Sequence, residues 1–204
     1  MIVEQLKGRF DDNFAYVVAD EKAKGGLVID PSGLTSKILG FVKKNDIKIQ
    51  YIFNTHRHGD HTGGNAEIAR KTGAKIVRHT SSARKNYLAV KDGDVLKVGK
   101  LKVRIIHTPG HSKDGISILI GKSLFTGDTL FIGDCGRTDF SGGSSEQMWD
   151  SLFNKISKLD DDVEVYPGHD YGPLPHDSLG NQKRTNYVLE PRTVEEFVQF
   201  MLEP

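Results

Sequence analysis

Paired cysteines are absent: Cys135 is the only cysteine in 204 residues, so no disulfide can form within the chain. Proteins that mature in oxidising compartments commonly rely on such pairs, so a reducing, cytoplasmic setting is expected. Long apolar runs are absent too. Residues 116–120, the most hydrophobic stretch, fall far short of the ~20 residues that cross a bilayer, and no membrane partner is expected. The opening MIVEQLKGRFDDNF carries acidic residues and lacks the apolar core of a secretory leader. Charge of one sign is also missing: 28 Lys and Arg against 27 Asp and Glu leave a net charge of +1. Nucleic-acid binding usually needs a basic excess or stripe, so no nucleic-acid partner is expected. One or two local cations would still serve a small anionic substrate.

Hydrophobic residues make up 37% of the sequence and charged ones 27%, the balance of a soluble globular protein. The length exceeds the typical single domain and falls short of two. It suffices for a core without staples. No linker, low-complexity segment or repeat interrupts it. Residues 15–19 and 27–30 are apolar runs flanking a Lys/Gly turn at 22–26, and Leu34, Ile38, Leu39 and Val42 then follow helical spacing. Strands are predicted at 47–53, 75–78 and 163–166, and hairpins around Gly99-Lys100 and Gly121-Lys122. Helices are predicted at 64–71, at 144–159 with Ser144 or Ser145 as cap, and at 194–202 with Thr193 as cap. Helices in each half and many strands joined by tight turns indicate an α/β protein with mixed sheets.

The densest chemistry lies in Thr55-His56-Arg57-His58-Gly59-Asp60-His61, directly after a predicted strand. Residues two apart in an extended segment point the same way, so His56, His58 and Asp60 can converge while His61 serves a second position. Imidazole with carboxylate suits zinc, iron or manganese. A chance cluster of surface histidines is the bland alternative, and three further segments argue against it. Thr108-Pro109-Gly110-His111, Thr126-Gly127-Asp128 and Tyr166-Pro167-Gly168-His169 each close a predicted strand in a glycine turn. Singly, each is a plausible turn. Together they place five of the 8 histidines in one pattern of strand-end loops, where α/β proteins assemble sites.

The order H-x-H-x-D-H, PGH, GD, PGH resembles the metallo-β-lactamase superfamily, from the first hairpin to His169. The resemblance implies an αβ/βα four-layer sandwich of two mixed β-sheets flanked by helices, with metals at one edge. It implies that His56, His58 and His111 hold one ion, that Asp60, His61 and His169 hold a second, and that Asp128 bridges them. Antibiotic-degrading members usually carry cysteine where Asp128 stands, so β-lactam hydrolysis is not expected as the main activity. The diiron flavoproteins carry Glu in place of His58 and add a flavodoxin domain for which the chain has no room.

Within the superfamily, FTGDTLFIGDCGRTDF at 125–140 resembles glyoxalase II (hydroxyacylglutathione hydrolase) and the persulfide dioxygenases. FTGDTLF followed by CG occurs in both, CGRTDF is closer to the persulfide dioxygenases, and SGGSSEQMWDSL resembles short hydrolases of the branch. The sequence stops where glyoxalase II adds a C-terminal helical region, so one domain over residues 1–204, lacking that region, is expected. The hydrolase reading implies two divalent ions (zinc first, iron or manganese as alternatives) and a hydroxide between them attacking a thioester or ester carbonyl. Asp60 would orient the hydroxide and relay its proton. The dioxygenase reading implies one Fe(II) held by His56, His111 and Asp128, oxidising a glutathione-type persulfide. All seven ligands are present, so both readings stay open. Lactone or phosphodiester hydrolysis is a further alternative, and a closed structural metal site would show C-x-x-C spacing, which is missing.

Arg137 is a candidate to grip a substrate carboxylate, with a salt bridge to Asp134 or Asp139 as the plain alternative. Tyr171 is a second candidate for substrate contact, against packing in its loop. Cys135 reads as a buried small side chain near the site. His79, His107 and His176 fit no motif position, Thr55 can support the ligand loop, and Trp149 and Phe153 read as core. A homodimer is the commonest assembly of small enzymes, and no residue pattern argues for or against one.

Overall fold

The computed structural model describes residues 1–8 and 12–202. Strands β1 (Ile2–Lys7), β2 (Phe14–Ala19) and β3 (Gly25–Ile29) lead through helix α1 (Thr35–Lys44) to β4 (Lys48–Phe53). The short α2 (Gly59–Thr62) and α3 (Asn65–Thr72) follow, then β5 (Lys75–His79) and β6 (Leu88–Val90). These six strands form one sheet in chain order, antiparallel from β1 to β3 and parallel from β3 to β6. The second half contributes β7 (Val95–Val98), β8 (Leu101–His107), β9 (Ile116–Ile120) and β10 (Ser123–Gly127). Then come α4 (Ser145–Trp149), β11 (Glu164–Pro167), β12 (Asp177–Ser178), α5 (Leu179–Thr185) and α6 (Val194–Phe200). The second sheet runs β12-β11-β10-β9-β8-β7, antiparallel except for β10 against β11. Two mixed sheets of six strands flanked by helices are the expected α/β sandwich.

Side-chain alternation explains the layers. Phe14, Tyr16 and Val18 of β2 join Ile105, Ile118 and Phe125 in a core between the sheets. Their neighbours Ala15, Val17 and Ala19 face the other way, against Ile38 and Val42 of α1 and Ile68 of α3. A third core packs Leu124 and Val165 of the second sheet against Met148, Leu152, Leu179 and Phe197. Trp149 and Phe153 are partly buried at its edge, as core residues.

The sequence pattern predicts one α-helix over 144–159, and the structure departs from it. After α4 the turns widen into a π-helix at Asp150–Lys155 and tighten to a 3-10 turn at Ile156–Lys158. Met148, Leu152 and Ile156, spaced four apart, would drift around an ideal 3.6-residue helix. The wider turns keep all three buried. Ser144 caps this helix by accepting from the Gln147 amide, and Thr193 forms a capping box with Glu196 at α6. The short β6, β12 and α5 carry no apolar period and were not expected from the sequence.

Candidate metal centre

Four strand ends deliver the site. The loop after β4 brings His56, His58, Asp60 and His61; the turn after β8 brings His111; the end of β10 brings Asp128; the end of β11 brings His169. Two close approaches require glycine. Gly127 has φ +52°, and a side chain there would collide with Thr55. A Cβ on Gly168 would run into Asp128 Oδ1.

All seven expected ligands are brought together. His56, His58 and His111 form one group, and Asp60, His61 and His169 another, each with donor atoms within 4.8 Å of one another. His58 Nδ1 lies 2.9 Å from His56 Nε2 and 3.0 Å from His111 Nε2. Asp128 reaches both groups: Oδ1 is 3.3 Å from His61 Nε2, and Oδ2 is 3.3 Å from His169 Nε2 and 3.6 Å from His111 Nε2.

Hydrogen bonds behind the rings fix which nitrogens carry lone pairs. His111 Nδ1 donates to the Arg137 carbonyl at 2.8 Å, because a carbonyl only accepts. His61 Nδ1 donates to Asp30 Oδ2 at 2.9 Å. Thr55 Oγ1 gives its proton to Asp30 Oδ2 at 2.6 Å and therefore accepts from His56 Nδ1 at 3.1 Å. The inward Nε2 atoms of all three rings are left as acceptors, aimed at one another and at two carboxylates. Such a donor set fits cations. Among the described residues, His61 Nε2 and Asp128 Oδ1 are buried without hydrogen-bond partners, which a cation between them would satisfy.

The electrostatics agree. Burial, reinforced by His61, holds the His56 imidazole well below its ordinary pKa, so it stays neutral. Burial and His111 lower His58. Burial would lower His61, but Asp128 and Asp30 raise it well above the ordinary value. Burial would likewise raise Asp128, but His61 and His169 hold it well below the carboxylate range. A positive charge is wanted at His61 Nε2, and a metal ion supplies it as well as a proton does.

The centre opens into a cavity of about 630 Å³. Phe140 stands at its rim, edge-on to His58 at 5.6 Å and to His111 at 5.5 Å between ring centroids. Tyr171, also lining the cavity, stacks on His169 at 4.7 Å and meets Phe131 edge-on. Arg137 lines the rim in a two-point pair with Asp139 while its guanidinium covers Phe140 at 4.6 Å. Cys135 also lines the cavity; it is buried, and burial pushes its thiol up and away from reactivity. His79 and His107 stack on each other at 4.0 Å, and His176 pairs with Glu164. Neither Asp30 nor Phe140 was singled out from the sequence. Asp30 carries a local signal, an acid ending an apolar strand before Pro31, whereas Phe140 carries none.

The family model for the metallo-β-lactamase superfamily matches residues 8–87 and 83–169. The chain belongs to that superfamily. Hydroxyacylglutathione hydrolase of Dictyostelium discoideum is 41% identical over 78% of this chain and 63% of its own length. The chain thus spans under two-thirds of that relative. A probable polyketide biosynthesis zinc-dependent hydrolase of Bacillus velezensis is 31% identical over 92% of this chain and 86% of its own length. Among solved structures, ETHE1 from Myxococcus xanthus superposes with a TM-score of 0.94 at 34% identity, covering 100% of this chain and 91% of that one. Among the described residues, no helix is long and apolar enough to cross a membrane.

Proposed function

We propose that this chain is a metal-dependent hydrolase of the glyoxalase II-like branch, cleaving a small thioester or ester. What carries the reading is the convergence of seven nitrogen and oxygen donors, three of them with inward lone pairs fixed from behind, at an open cavity. His56, His58 and His111 would hold one ion, Asp60, His61 and His169 a second, and Asp128 both; zinc suits this donor set first. When bound, two divalent cations bring the pKa of a water toward neutrality and polarise a carbonyl.

The chain's own residues do the rest. Asp60 is 44% exposed to the cavity and is the group placed to take a proton and pass it on. A thiolate leaves with little acid assistance. Tyr171 lines the opening and is the proposed direct substrate contact; Arg137 lines it too, but Asp139 already holds its guanidinium edge, so its proposed part is the cation laid over Phe140 beside the substrate. A single domain, a cytoplasmic setting and a small-molecule thiol ester complete the reading.

A second reading has its own support: CGRTDF resembles the persulfide dioxygenases. His111 Nε2 and Asp128 Oδ2, 3.6 Å apart, would with His56 make a two-histidine, one-carboxylate iron site. One experiment separates the two. The zinc-loaded chain is assayed on glutathione and shorter acyl thioesters, and the iron-loaded chain on glutathione persulfide at an oxygen electrode. We expect thioester cleavage and no enzyme-dependent oxygen uptake. Brisk uptake, lost in His111→Ala, makes it a dioxygenase and ends the hydrolase reading.

A further inference from the structure

One buried polar side chain beside the seven ligands has no place in the reading above. Asn13 is fully buried at the start of β2, and its amide nitrogen donates to Asp60 Oδ2 at 3.2 Å. A carboxylate only accepts, so the face turned to Asp60 is the nitrogen. The same nitrogen lies 3.5 Å from His169 Nε2. Asn13 Oδ1, on the far side of the amide, is buried with no hydrogen-bond partner among the described residues. An unpartnered buried oxygen costs stability, and an apolar residue of similar shape would avoid that cost. Among the described residues, the polar contacts of the Asn13 side chain both point into the metal centre.

Its backbone is held just as firmly. Asn13 bridges His169 across an antiparallel pair, the Phe14 amide donates to Gly168 O at 2.8 Å, and the Asp170 amide donates to Asp12 O at 2.8 Å. The first hairpin is therefore stitched to the last ligand loop, and the Asn13 amide moves with it. Asp60 is the ligand in need of such support. It sits on the four-residue α2 and is 44% exposed, whereas Asp128 is wedged among histidines at 9%. Its Oδ2 faces His61 Nε2 at 3.5 Å and His169 Nε2 at 3.6 Å. That oxygen has two lone pairs, so it can accept from Asn13 and face a cation at once.

We infer that Asn13 is a positioning residue for the second ion position: its amide holds Asp60 against His61 and His169 so that the three retain a cation together. The inference rests on the two-ion reading above. Residues that orient metal ligands from behind typically change affinity by about 10–100-fold when removed.

The test uses the full chain loaded with cobalt(II), in wild type, Asn13→Leu (similar shape, no donor) and Asn13→Ala. Ions per chain are counted by elemental analysis across a chelator series, and the visible cobalt spectrum is followed in parallel. Circular dichroism checks folding, and should the alanine variant not fold, the leucine variant carries the result. Two ions are expected in wild type, with the second lost from the variants at about 10–100-fold weaker chelation and the first unmoved. A second ion held as tightly as in wild type, or more tightly, overturns the role of Asn13. So does loss of both ions together, the mark of a merely structural residue. A wild-type chain that holds a single ion overturns the two-ion reading itself, and this inference with it.

Discussion

Two aspartates bracket β3, and their carboxylates are used in contrasting ways. Asp20, before the strand, accepts from the backbone amides of Lys22, Ala23 and Lys100 at 3.0, 3.0 and 2.8 Å. It closes one turn and ties it to the turn between β7 and β8, joining the two sheets. Asp30, after the strand, also accepts three hydrogen bonds: from the Thr55 amide, the Thr55 hydroxyl and His61 Nδ1. It does so from a left-handed backbone at φ +46°, which is rare outside glycine. At Asp20 every partner is a fixed peptide group, and the result is a closed, satisfied corner. At Asp30 the partners are themselves tied to the centre, and beyond them lie buried atoms with no hydrogen-bond partner among the described residues. The same side chain with the same number of bonds closes a turn at one end and orients candidate metal-binding side chains at the other.

The sharpest way to break this comparison is to remove both carboxylates in turn. Asp30→Ala frees His61 Nδ1 and the Thr55 hydroxyl, so two of the three fixed lone pairs lose their orientation. Metal affinity should fall by about 10–100-fold in a competitive chelator titration. Asp20→Asn should leave metal content unchanged. Equal affinity in Asp30→Ala would show that the rings are held by packing alone.

Asp20 should be visible instead in the pH dependence of stability. Its backbone hydrogen bonds with Ala23 and Lys100 hold its pKa below the ordinary carboxylate value. A carboxylate depressed in the folded state contributes stability above its unfolded pKa and loses it as pH falls through the folded one. The melting temperature of Asp20→Asn should therefore lie below wild type at pH 6. The gap should close progressively below the unfolded value of about 3.9. A gap that is constant with pH would mean that shape, not charge, holds this corner.

How far such roles could be read in advance depends on distance along the chain. The convergence of the seven candidate ligands was legible because they follow four strand ends, three of them in short glycine-bearing turns, and a strand's end fixes where its next residues go. The strand at 15–19 was legible as an apolar run and the layers through the family resemblance; which core each of its residues enters emerges only once the sheets pack. The helix at 144–159 was only partly legible: its apolar spacing set the buried face, and tertiary contact with the second sheet set the turn width. Asp30 and Asn13 act on residues 25 to 156 positions away. Asp30 has a local mark, an acid ending an apolar strand before Pro31, but neither residue has anything local that names its distant partners, so their roles emerge only when the sheets have packed.

Asp139 supplies a third carboxylate for the comparison, this time in solvent. It forms a two-point pair with Arg137, yet the side chains are 61% and 64% exposed. Exposed pairs are screened and cost side-chain freedom, so they add little. Arg137→Ala should shift the melting temperature by no more than about 1 °C. Its effect on turnover is expected to be small as well, because Asp139 already occupies the guanidinium edge that a substrate carboxylate would need. The remaining contribution is the cation laid over Phe140, whose ring edges onto His58 and His111. Loss of that contact should raise KM less than about threefold and leave kcat unchanged, since one exposed cation–π contact has about that strength. A tenfold rise in KM would instead show that substrate displaces Asp139 and binds Arg137 directly, and the rim would then join the centre as a site where an ion pair is kept for exchange rather than for stability.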